Sequence, residues 1–517
     1  METVEQTKHR SSKQDNNTQQ INSAATEMVK QTNYSITEYH DINPIYKKLQ
    51  NLVDTPVVNL PKKLLDTSLR YFDEKCVRSK NMIDRAKEYI PGGVQHNLAF
   101  NYPYPIVFDK AEGAYLYDID GNRYIDFLQA GGPTVLGSNP KEVREKAIEV
   151  LNTTGPSTGL FHEYEYKLAK LICEYMPSVE KFRMLNSGSE SVIAAVRIAR
   201  LATGKKKVIK IGGAYHGWMD QMVYGTRIPR TGRFEAHGIP RAYTKHTQEV
   251  YPNNLKALER KLLFNTLRGG TAAIILEPLG TESGTRPVPK GYNQKVRNLC
   301  DKYGALLIFD EVVTAFRVGM QGAQGYFNVM PDLTVFGKVV AGGYPSAGGI
   351  GGKNEYMKYL AAGLDGDKKI KKAKVGGTMA ANPLSCVAGY YTLKNIIETD
   401  ACVKAGKAGD RLCNGLQAII DKHKLPYVTY NQGSIVHLET SGVLFIDVNF
   451  AKPWTLPSAL KQIKIRKDFM EQMGAVFMST GIVTIAGSRL YTSAAQTDKV
   501  IDEALTKFER IFKQIAI

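Results

Sequence analysis

Short apolar runs alternate with longer amphipathic segments through the middle of the chain. The runs near residues 206, 272, 305 and 332 are rich in Ile, Leu, Val and Ala, which is typical of strands buried on both faces. The segment Ser191–Leu201, just before the first of these runs, places Val192, Val196 and Ala199 on one helical face. This alternation predicts an α/β fold with a large, doubly wound, mostly parallel sheet.

The remaining segments predict a smaller α+β domain. Residues 114–125 are expected to form a hairpin that turns at Asp120-Gly121-Asn122, and residues 498–515 a final amphipathic helix. Residues 1–35 are polar and lack the apolar region of a signal peptide, so we expect a disordered extension. The predicted division is an extension (1–35), an N-terminal segment of the smaller lobe (36–130), a large cofactor-binding domain (131–390) and a C-terminal small domain (391–517).

Composition and charge limit the classes of protein to which this chain can belong. The chain has 517 residues, enough for a large core, and no apolar run of the roughly 18–20 residues that span a membrane. Its net charge of +18 is spread along the chain and not gathered on a basic helix, so we expect no nucleic-acid partner. The six cysteines show no Cys-x-x-Cys spacing and no cluster with histidines, which indicates reduced thiols, no metal and a cytoplasmic location.

Two of the apolar runs end in a charged residue. Asp310 closes the run that starts at Ala305, and Lys338 closes the run that starts at Asp332. The carboxyl ends of parallel strands face one crevice, so this acid and this amine are expected to meet there. The pair suits pyridoxal phosphate, because a lysine forms the Schiff base and a carboxylate keeps the pyridine nitrogen protonated. The alternative is a capping aspartate and a solvated surface lysine.

A phosphate-binding loop is predicted after residues 182–185. The sequence Asn186-Ser187-Gly188-Ser189-Glu190 opens a helix, where free backbone N–H groups, two hydroxyls and a glycine would surround an anion. Gly376-Gly377-Thr378 is a second loop of small residues whose hydroxyl could reach a phosphate. An ordinary serine N-cap is the simpler explanation of the first loop taken alone.

Two further segments are candidates for the walls around an aromatic ring. Tyr215 lies between glycines in Gly212–Gly217 and can lie flat against an aromatic cofactor. Val312, two residues past Asp310, is positioned to pack on the opposite face. The alternative is a turn with a half-buried tyrosine, in which His216 is a structural residue and not a base.

In their order, these motifs resemble those of a class III (subgroup II) pyridoxal-phosphate-dependent aminotransferase, closest to the glutamate-1-semialdehyde 2,1-aminomutase group. The resemblance spans about residues 85–390 and continues more weakly to the C-terminus. It implies fold type I of the pyridoxal-phosphate-dependent transferases, with a large sheet domain and a smaller α+β domain. The stretches that carry it are Tyr89-Ile90-Pro91-Gly92-Gly93-Val94, residues 113–122, Asn186–Glu190, Tyr215-His216-Gly217, Phe309-Asp310-Glu311-Val312, Ala315-Phe316-Arg317-Val318 and Asn382-Pro383-Leu384.

The resemblance also implies a role for each candidate residue. Lys338 would be the Schiff-base lysine and proton shuttle, and Asp310 the partner of the pyridine nitrogen. Thr378 would reach the phosphate of the neighbouring subunit, which implies a homodimer with shared active sites. The other expected cofactor contacts are Ser187, Gly188 and Ser189 at the phosphate, and Tyr215, His216, Glu277 and Val312 around the ring.

Two departures from the aminomutase pattern bear on the substrate. The aminomutases carry a substrate-binding arginine shortly after Pro-Gly-Gly-Val, whereas Val94–Phe100 contains none. A carboxylate in a closed site favours a guanidinium partner, so the glutamate-semialdehyde substrate is in question. Glu282 instead resembles a glutamate of ornithine and 4-aminobutyrate aminotransferases, which pairs with an arginine at the place of Arg489. The alternative is a surface glutamate and a structural arginine.

We therefore expect an aminotransferase that moves an amino group between an amino acid or ω-amine and a keto acid. An intramolecular 1,2-aminomutase and an amino-acid racemase or epimerase remain alternatives, because both use the same lysine. A non-catalytic scaffold on the same fold is a different class. The lysine, the aspartate, the tyrosine and the phosphate loop together argue against it, since a scaffold needs none of them.

Overall fold

A computed structural model describes residues 34–232, 237–361, 371–448, 452–485 and 487–516. The extension predicted for residues 1–35 lies outside the described residues except for its last two. The described helices of ten or more residues are α1 (Ile42–Asp54), α2 (Lys62–Lys75), α3 (Val77–Ala86), α4 (Lys141–Thr153), α5 (Glu163–Tyr175), α6 (Gly188–Thr203), α7 (Leu255–Thr266), α8 (Tyr292–Tyr303), α9 (Pro383–Glu398), α10 (Ala401–Lys422), α11 (Leu456–Ser479) and α12 (Asp498–Ile515). None of them is long and apolar enough to cross a membrane.

The described strands, apart from the two-residue Arg286–Pro287, form three sheets. The largest has seven strands in the order β4-β11-β10-β9-β7-β5-β6. Its β11 is antiparallel to both neighbours, while the other neighbouring strands are parallel, so the predicted mostly parallel sheet is confirmed. The strands are β1 (Phe108–Glu112), β2 (Tyr115–Asp118), β3 (Arg123–Asp126), β4 (Lys181–Leu185), β5 (Lys207–Ile211), β6 (Thr247–Val250), β7 (Thr271–Leu276), β8 (Arg286–Pro287), β9 (Leu306–Asp310), β10 (Leu333–Gly337), β11 (Gly348–Gly352), β12 (Val428–Gln432), β13 (Ile435–Glu439), β14 (Ile482–Val483) and β15 (Arg489–Tyr491).

Helices cover both faces of the large sheet. On β9, Ile308 joins the apolar cluster that contains Val192 and Val196 of α6. The residues on either side of it, Leu307 and Phe309, join the cluster formed with α7 and α8. Because successive strand residues point to opposite faces, this burial explains why the central strands are apolar throughout.

Strand β11 is not predicted by the sequence pattern, because four of its five residues are glycine and glycine is depleted in strands. Packing explains the composition. A Cβ atom at Gly348 would lie 2.4 Å from the backbone nitrogen of Ser187, and one at Gly349 would lie 2.5 Å from the Phe182 ring. The glycines therefore let β11 pass directly beside β4 and the loop that follows it.

The two smaller sheets combine distant parts of the chain. Strands β2 and β3 form the predicted hairpin, and β14 pairs in parallel with β3. The third sheet has the order β12-β13-β15. Segments assigned to 36–130 and 391–517 therefore share a sheet, while the domain boundaries themselves stay a prediction.

Helix α1 is tied to the C-terminal part of the chain by one arginine. The fully buried Arg466 of α11 donates hydrogen bonds to the carbonyls of Leu52 (3.2 Å), Val53 (2.7 Å), Thr55 (2.8 Å) and Ser441 (2.6 Å). The carbonyls of Leu52, Val53 and Thr55 lie at the end of α1, where no helical N–H reaches them. One side chain thus pairs four carbonyl acceptors, of which those of Leu52 and Ser441 are buried.

We expect Arg466→Gln to lower the free energy of unfolding by about 3 kcal/mol, because four carbonyls, two of them buried, lose a charged donor. The measurement is a urea denaturation midpoint with its slope. Lys467→Gln is the matched control, because Lys467 lies on the same helix in an exposed ion pair with Glu471 and should cost less than about 0.5 kcal/mol. Equal effects of the two substitutions would contradict this role for Arg466.

Candidate active site

Asp310 and Lys338 lie at the same edge of the large sheet. Strands β9 and β10 are parallel, with Asp310 opposite Val335. Lys338 follows Val335 by three residues and therefore lies just beyond the same edge. Lys338 has a left-handed backbone (φ +50°), which is uncommon outside glycine and often found at functional sites. Its amine donates a hydrogen bond to the carbonyl of Gly131 (2.7 Å).

Lys338 is partly buried, and desolvation lowers the pKa of its amine from the ordinary value. The nearby positive charges of Arg489 and Arg317 act in the same direction, while Tyr491 and Asp310 oppose them. The lysine is therefore easier to hold in its neutral, nucleophilic form than a surface lysine.

The Asp310 carboxylate is held by two donors. His216 Nδ1 lies 2.7 Å from Asp310 Oδ2, and the backbone N–H of Val312 donates to Oδ1 at 3.1 Å. Burial lowers the pKa of His216, which favours a neutral ring, and we assign its proton to Nδ1 because a carboxylate only accepts. His216 is thus a structural partner of Asp310, with its Nε2 buried and without a hydrogen bond.

The predicted phosphate loop is the start of α6. Ser187 is the N-cap, and its hydroxyl oxygen accepts the N–H of Glu190 (3.2 Å). The Glu190 carboxylate in turn accepts the N–H of Asn186 (3.0 Å). A capping hydroxyl still has its own proton to donate, and the first-turn N–H groups point away from the helix body. The N-cap and the anion site are therefore compatible at one position.

Close packing joins the phosphate loop to the lysine and tyrosine loops. A Cβ atom at Gly188 would lie 2.8 Å from Val312 Cγ2, and one at Gly337 would lie 2.8 Å from Val312 Cγ1. Gly217 has φ +85°, and a Cβ atom there would lie 2.3 Å from the hydroxyl of Ser189. Each glycine is thus required where two segments of the site touch.

Glu277 is buried behind the site and holds two loops by their backbone. Its carboxylate accepts the N–H groups of Tyr215 (3.1 Å), Glu282 (2.8 Å) and Ser283. Burial and the neighbouring Asp310 charge raise the pKa of Glu277 to about 8. Tyr215 itself is half-exposed, so its ring is available on one side to a ligand.

Glu282 and Arg489 form an ion pair in the structure. Glu282 Oε1 lies 3.3 Å from Arg489 Nη2, on a turn where Glu282 and Ser283 both have left-handed backbones (φ 51° and 55°). Arg489 Nη1 donates to the Tyr491 hydroxyl (3.3 Å). Burial alone would lower the pKa of Arg489, but Tyr491 and Glu282 outweigh it and raise the pKa, so the guanidinium stays charged.

Thr378 is exposed and directly follows Gly376 and Gly377 in its loop. A Cβ atom at the preceding Gly377 would lie 2.1 Å from Asn186 Nδ2, so this loop touches the start of the phosphate loop within the same chain. Contact of Thr378 with the phosphate of a neighbouring subunit stays a prediction.

Two features at Lys338 are missed by reasoning from sequence alone. The carbonyl that accepts its hydrogen bond belongs to Gly131, and a Cβ atom at Gly131 would lie 3.0 Å from Leu98 Cδ1. Segment 94–100, which has no arginine, therefore borders the lysine pocket. Tyr491 is the second feature, because its ring and the Lys338 side chain both flank Gly132. In the sequence, the adjacent pair Gly131-Gly132 was the sign that other segments approach the backbone closely here.

Arg317 has a structural role, because its guanidinium is hydrogen-bonded to other parts of the protein. It is fully buried and donates to the carbonyls of Gly132 (3.0 and 2.7 Å) and Thr492 (2.8 Å) and to the Ser434 hydroxyl (3.1 Å). Its guanidinium also lies 4.9 Å from the centre of the Tyr491 ring. The arginine thus fixes the wall of the Lys338 pocket.

The described residues fit pyridoxal phosphate. The start of α6 offers hydroxyls and N–H groups to a phosphate, and the glycines at 188 and 217 keep side chains out of that space. Asp310 is a buried, oriented carboxylate for a protonated pyridine nitrogen, and Lys338 is an amine with a lowered pKa.

We expect Gly217→Ala to weaken pyridoxal phosphate binding about tenfold or more, because overpacking against Ser189 typically costs 1–3 kcal/mol. The measurement is a titration of the apoprotein followed by visible absorbance. Gly269→Ala is the matched control, since Gly269 has a similar φ (+83°) but no atom within 4 Å of the added Cβ. If both variants bind pyridoxal phosphate equally, the expected crowding against Ser189 is wrong.

Comparison with known proteins also supports a site for pyridoxal phosphate. The sequence profile of the family described as "Aminotransferase class-III" matches residues 99–512. Glutamate-1-semialdehyde 2,1-aminomutase 2 of Shouchella clausii (strain KSM-K16) is 35% identical over 450 residues, covering 85% of this chain and 98% of that protein. The protein of the same name from Staphylococcus saprophyticus subsp. saprophyticus is 40% identical over 363 residues, covering 69% and 82%.

The crystal structure of an omega-transaminase from Sphaerobacter thermophilus has a TM-score of 0.74 and 25% identity, and covers 86% of this chain and 99% of that one. The fold expected from the resemblance is therefore confirmed. Both the profile match and the relatives cover more than two-thirds of the chain. The chain belongs to the class-III aminotransferases, and its cofactor is pyridoxal 5'-phosphate.

Proposed function

We propose that this chain is a transaminase that moves an amino group between an amino acid or ω-amine and a keto acid. The observation that carries the proposal is the Glu282–Arg489 ion pair at 3.3 Å. It gives the site a guanidinium for a substrate carboxylate, together with a glutamate that can cover this charge when the substrate has no carboxylate there. Segment 94–100, which borders Gly131, offers no alternative arginine.

In this proposal Lys338 is the base. Bound pyridoxal phosphate supplies an electron sink that makes a proton on the substrate carbon acidic. The lowered pKa of Lys338 favours a neutral Nζ, which accepts that proton and returns it at a different atom. The left-handed backbone and the hydrogen bond to Gly131 hold the amine at one place during the transfer.

The cofactor would be held by the residues around the sheet edge. Asp310, fixed by His216 and the Val312 N–H, would bind the pyridine nitrogen. Tyr215 and Val312 would flank the ring. The phosphate would lie at the start of α6, held by Ser187, Gly188 and Ser189. Glu277 would act indirectly, through the backbone of the Tyr215 loop and the Glu282 turn.

The ion pair would serve two substrates in turn. When an ω-amine is bound, Glu282 stays on Arg489 and neutralises the charge of that guanidinium. When an α-carboxylate enters, it takes the place of Glu282 on the guanidinium. Glu282 is partly exposed and lies at a turn with two left-handed residues, so it has room to leave.

A homodimer with shared sites is part of the proposal. The exposed Thr378 follows a loop that touches Asn186, next to the phosphate loop. An exposed hydroxyl at this position can bind a phosphate held by a second subunit. The exposed Leu160, Phe161 and Trp218 are consistent with a surface covered by another chain.

The names of the relatives favour a second candidate function. Both relatives described above are called glutamate-1-semialdehyde 2,1-aminomutases, at 35% and 40% identity. Such an enzyme moves an amino group within one molecule and releases no free keto acid, and a racemase also releases none. Product release therefore separates these candidates from a transaminase.

We expect one amine among glutamate, alanine, ornithine, 4-aminobutyrate and lysine to bleach the visible absorbance of the holoenzyme. The bleaching should release one carbonyl product per site, because a transaminase completes its half-reaction without a second substrate. Lys338→Ala should abolish the bleaching, since the proton acceptor is lost. Bleaching with no released carbonyl would support the aminomutase. Loss of chirality without bleaching would support a racemase.

We expect capture of pyridoxal phosphate by the apoprotein to rise with pH and to level off above a midpoint below 10.5, because only the neutral Lys338 amine reacts and its pKa is lowered. Tyr491→Phe should move this midpoint to still lower pH, since the phenolate charge raises the lysine pKa. Tyr427→Phe, a buried tyrosine packed on α12, is the control. An unchanged midpoint in Tyr491→Phe would contradict the assignment.

A further inference from the structure

The Glu282 carboxylate lies between two arginines, of which only one belongs to the pair described above. Its Oε1 atom is 3.3 Å from Arg489 Nη2 and 3.8 Å from Arg227 Nε. The two guanidiniums differ in their surroundings, because the Arg489 side chain is 10% exposed and the Arg227 side chain 66% exposed. One cation lies inside the site and the other at its mouth.

Arg227 is fixed at its backbone although its side chain reaches solvent. It has a left-handed φ of +60°, and its N–H donates to the carbonyl of Gly213 (3.1 Å). The N–H of Gly213 donates in return to the carbonyl of Gly225 (2.8 Å). Gly213 precedes Tyr215 by two residues, so the tyrosine and the arginine are carried by one cross-linked loop.

A buried lysine holds the loop between Tyr215 and Arg227 by hydrogen bonds to its backbone. The fully buried Lys210, at the end of β5, donates to the carbonyls of Ala214 (3.0 Å), Met222 (3.0 Å) and Tyr224 (2.8 Å). Charge-assisted hydrogen bonds of this kind are stronger than neutral ones, and three together restrict the path of the chain. The loop between the tyrosine and the arginine therefore has a defined position.

Glu249 fastens the far side of the same loop. Its carboxylate accepts the N–H of Arg230 at 2.6 Å. A Cβ atom at Gly212 would lie 2.2 Å from this carboxylate, and one at Gly225 would lie 2.4 Å from it. The packing leaves no space for the loop to shift, so Arg227 is presented at one place.

The Arg227 charge acts on the site itself. Burial raises the pKa of Tyr215, and the Arg227 guanidinium opposes that rise. Because the guanidinium also lies 3.8 Å from Glu282 Oε1, it is close to both Tyr215 and Glu282 at the pocket entrance. An exposed ion pair at 3.8 Å contributes little to stability, so holding Glu282 is a weak explanation for so fixed an arginine.

We propose that Arg227 binds the second carboxylate of a dicarboxylic substrate, while Arg489 binds the carboxylate next to the reacting carbon. Glu282 then occupies, in the free site, the space between two guanidiniums through which such a substrate passes. Arg227 would be a specificity-determining residue that selects dicarboxylic over monocarboxylic acids. This inference rests on the proposed function for its reaction but concerns binding alone.

The test is equilibrium binding of unreactive acids to the holoenzyme, measured by calorimetry. Glutarate carries two carboxylates, and butyrate has a similar carbon chain with one. We expect Arg227→Gln to weaken glutarate binding about tenfold, the loss of one charge-assisted hydrogen bond, and to change butyrate binding less than about twofold. Arg227→Lys should fall between the wild type and Arg227→Gln. Added salt should weaken glutarate binding more than butyrate binding, because the outer arginine is exposed to screening ions.

Arg230→Gln is the matched control. Arg230 lies on the same loop, but its side chain pairs with Asp447 (3.2 Å), so both acids should bind it as they bind the wild type. The inference fails if Arg227→Gln weakens glutarate and butyrate equally, or if the wild type does not prefer glutarate. Equal weakening would mean that Arg227 only positions Glu282.

Failure of this inference is distinguishable from failure of the proposed function. If glutarate binding depends on Arg227 but no amine releases a carbonyl product, the anion subsite stands and the transaminase proposal fails. If an amine reacts and releases its product while Arg227→Gln binds both acids normally, the transaminase proposal stands and the subsite is wrong.

Discussion

Two buried carboxylates at the ends of neighbouring strands hold the site together. Glu277 follows β7 and accepts three backbone N–H groups, and Asp310 ends β9 and accepts from His216 and Val312. A buried N–H without a partner costs about 1–3 kcal/mol, so these acids determine where the loops can lie. The backbone of the half-exposed Tyr215 and the turn of Glu282 are both held by Glu277, and Asp310 holds His216 and Val312.

Sequence reasoning found the residues whose positions follow from strand ends. Asp310 and Lys338 close apolar runs, and parallel strands bring such ends to one edge, as the structure has them. The pairing of Glu282 with Arg489 could be expected only from resemblance to known families. The role proposed for Arg227 could not be predicted from the sequence, because an arginine in a loop has no periodic or spacing signal.

Glycine-rich composition kept β11 and the wall of the lysine pocket from being predicted from the sequence. A run of glycines lowers strand propensity, yet here the missing side chains at Gly348 and Gly349 permit contact with the Ser187 loop and with Phe182 of β4. The same applies to Gly131 and Gly132, which admit Leu98, Lys338 and Tyr491 to one small space. Tertiary packing of this kind decides local structure against propensity, and a single sequence does not contain it.

The buried Arg466 has a consequence for the order in which the chain can fold during synthesis. Its partner carbonyl at Leu52 is 414 residues earlier, and the apolar partners of α1, Val428 and Tyr430, also come late. At about 5–20 residues per second, a ribosome needs roughly 20–80 s to make the intervening chain. Until then the apolar face of α1 lacks these partners, so a chaperone that binds apolar segments has time to reach it.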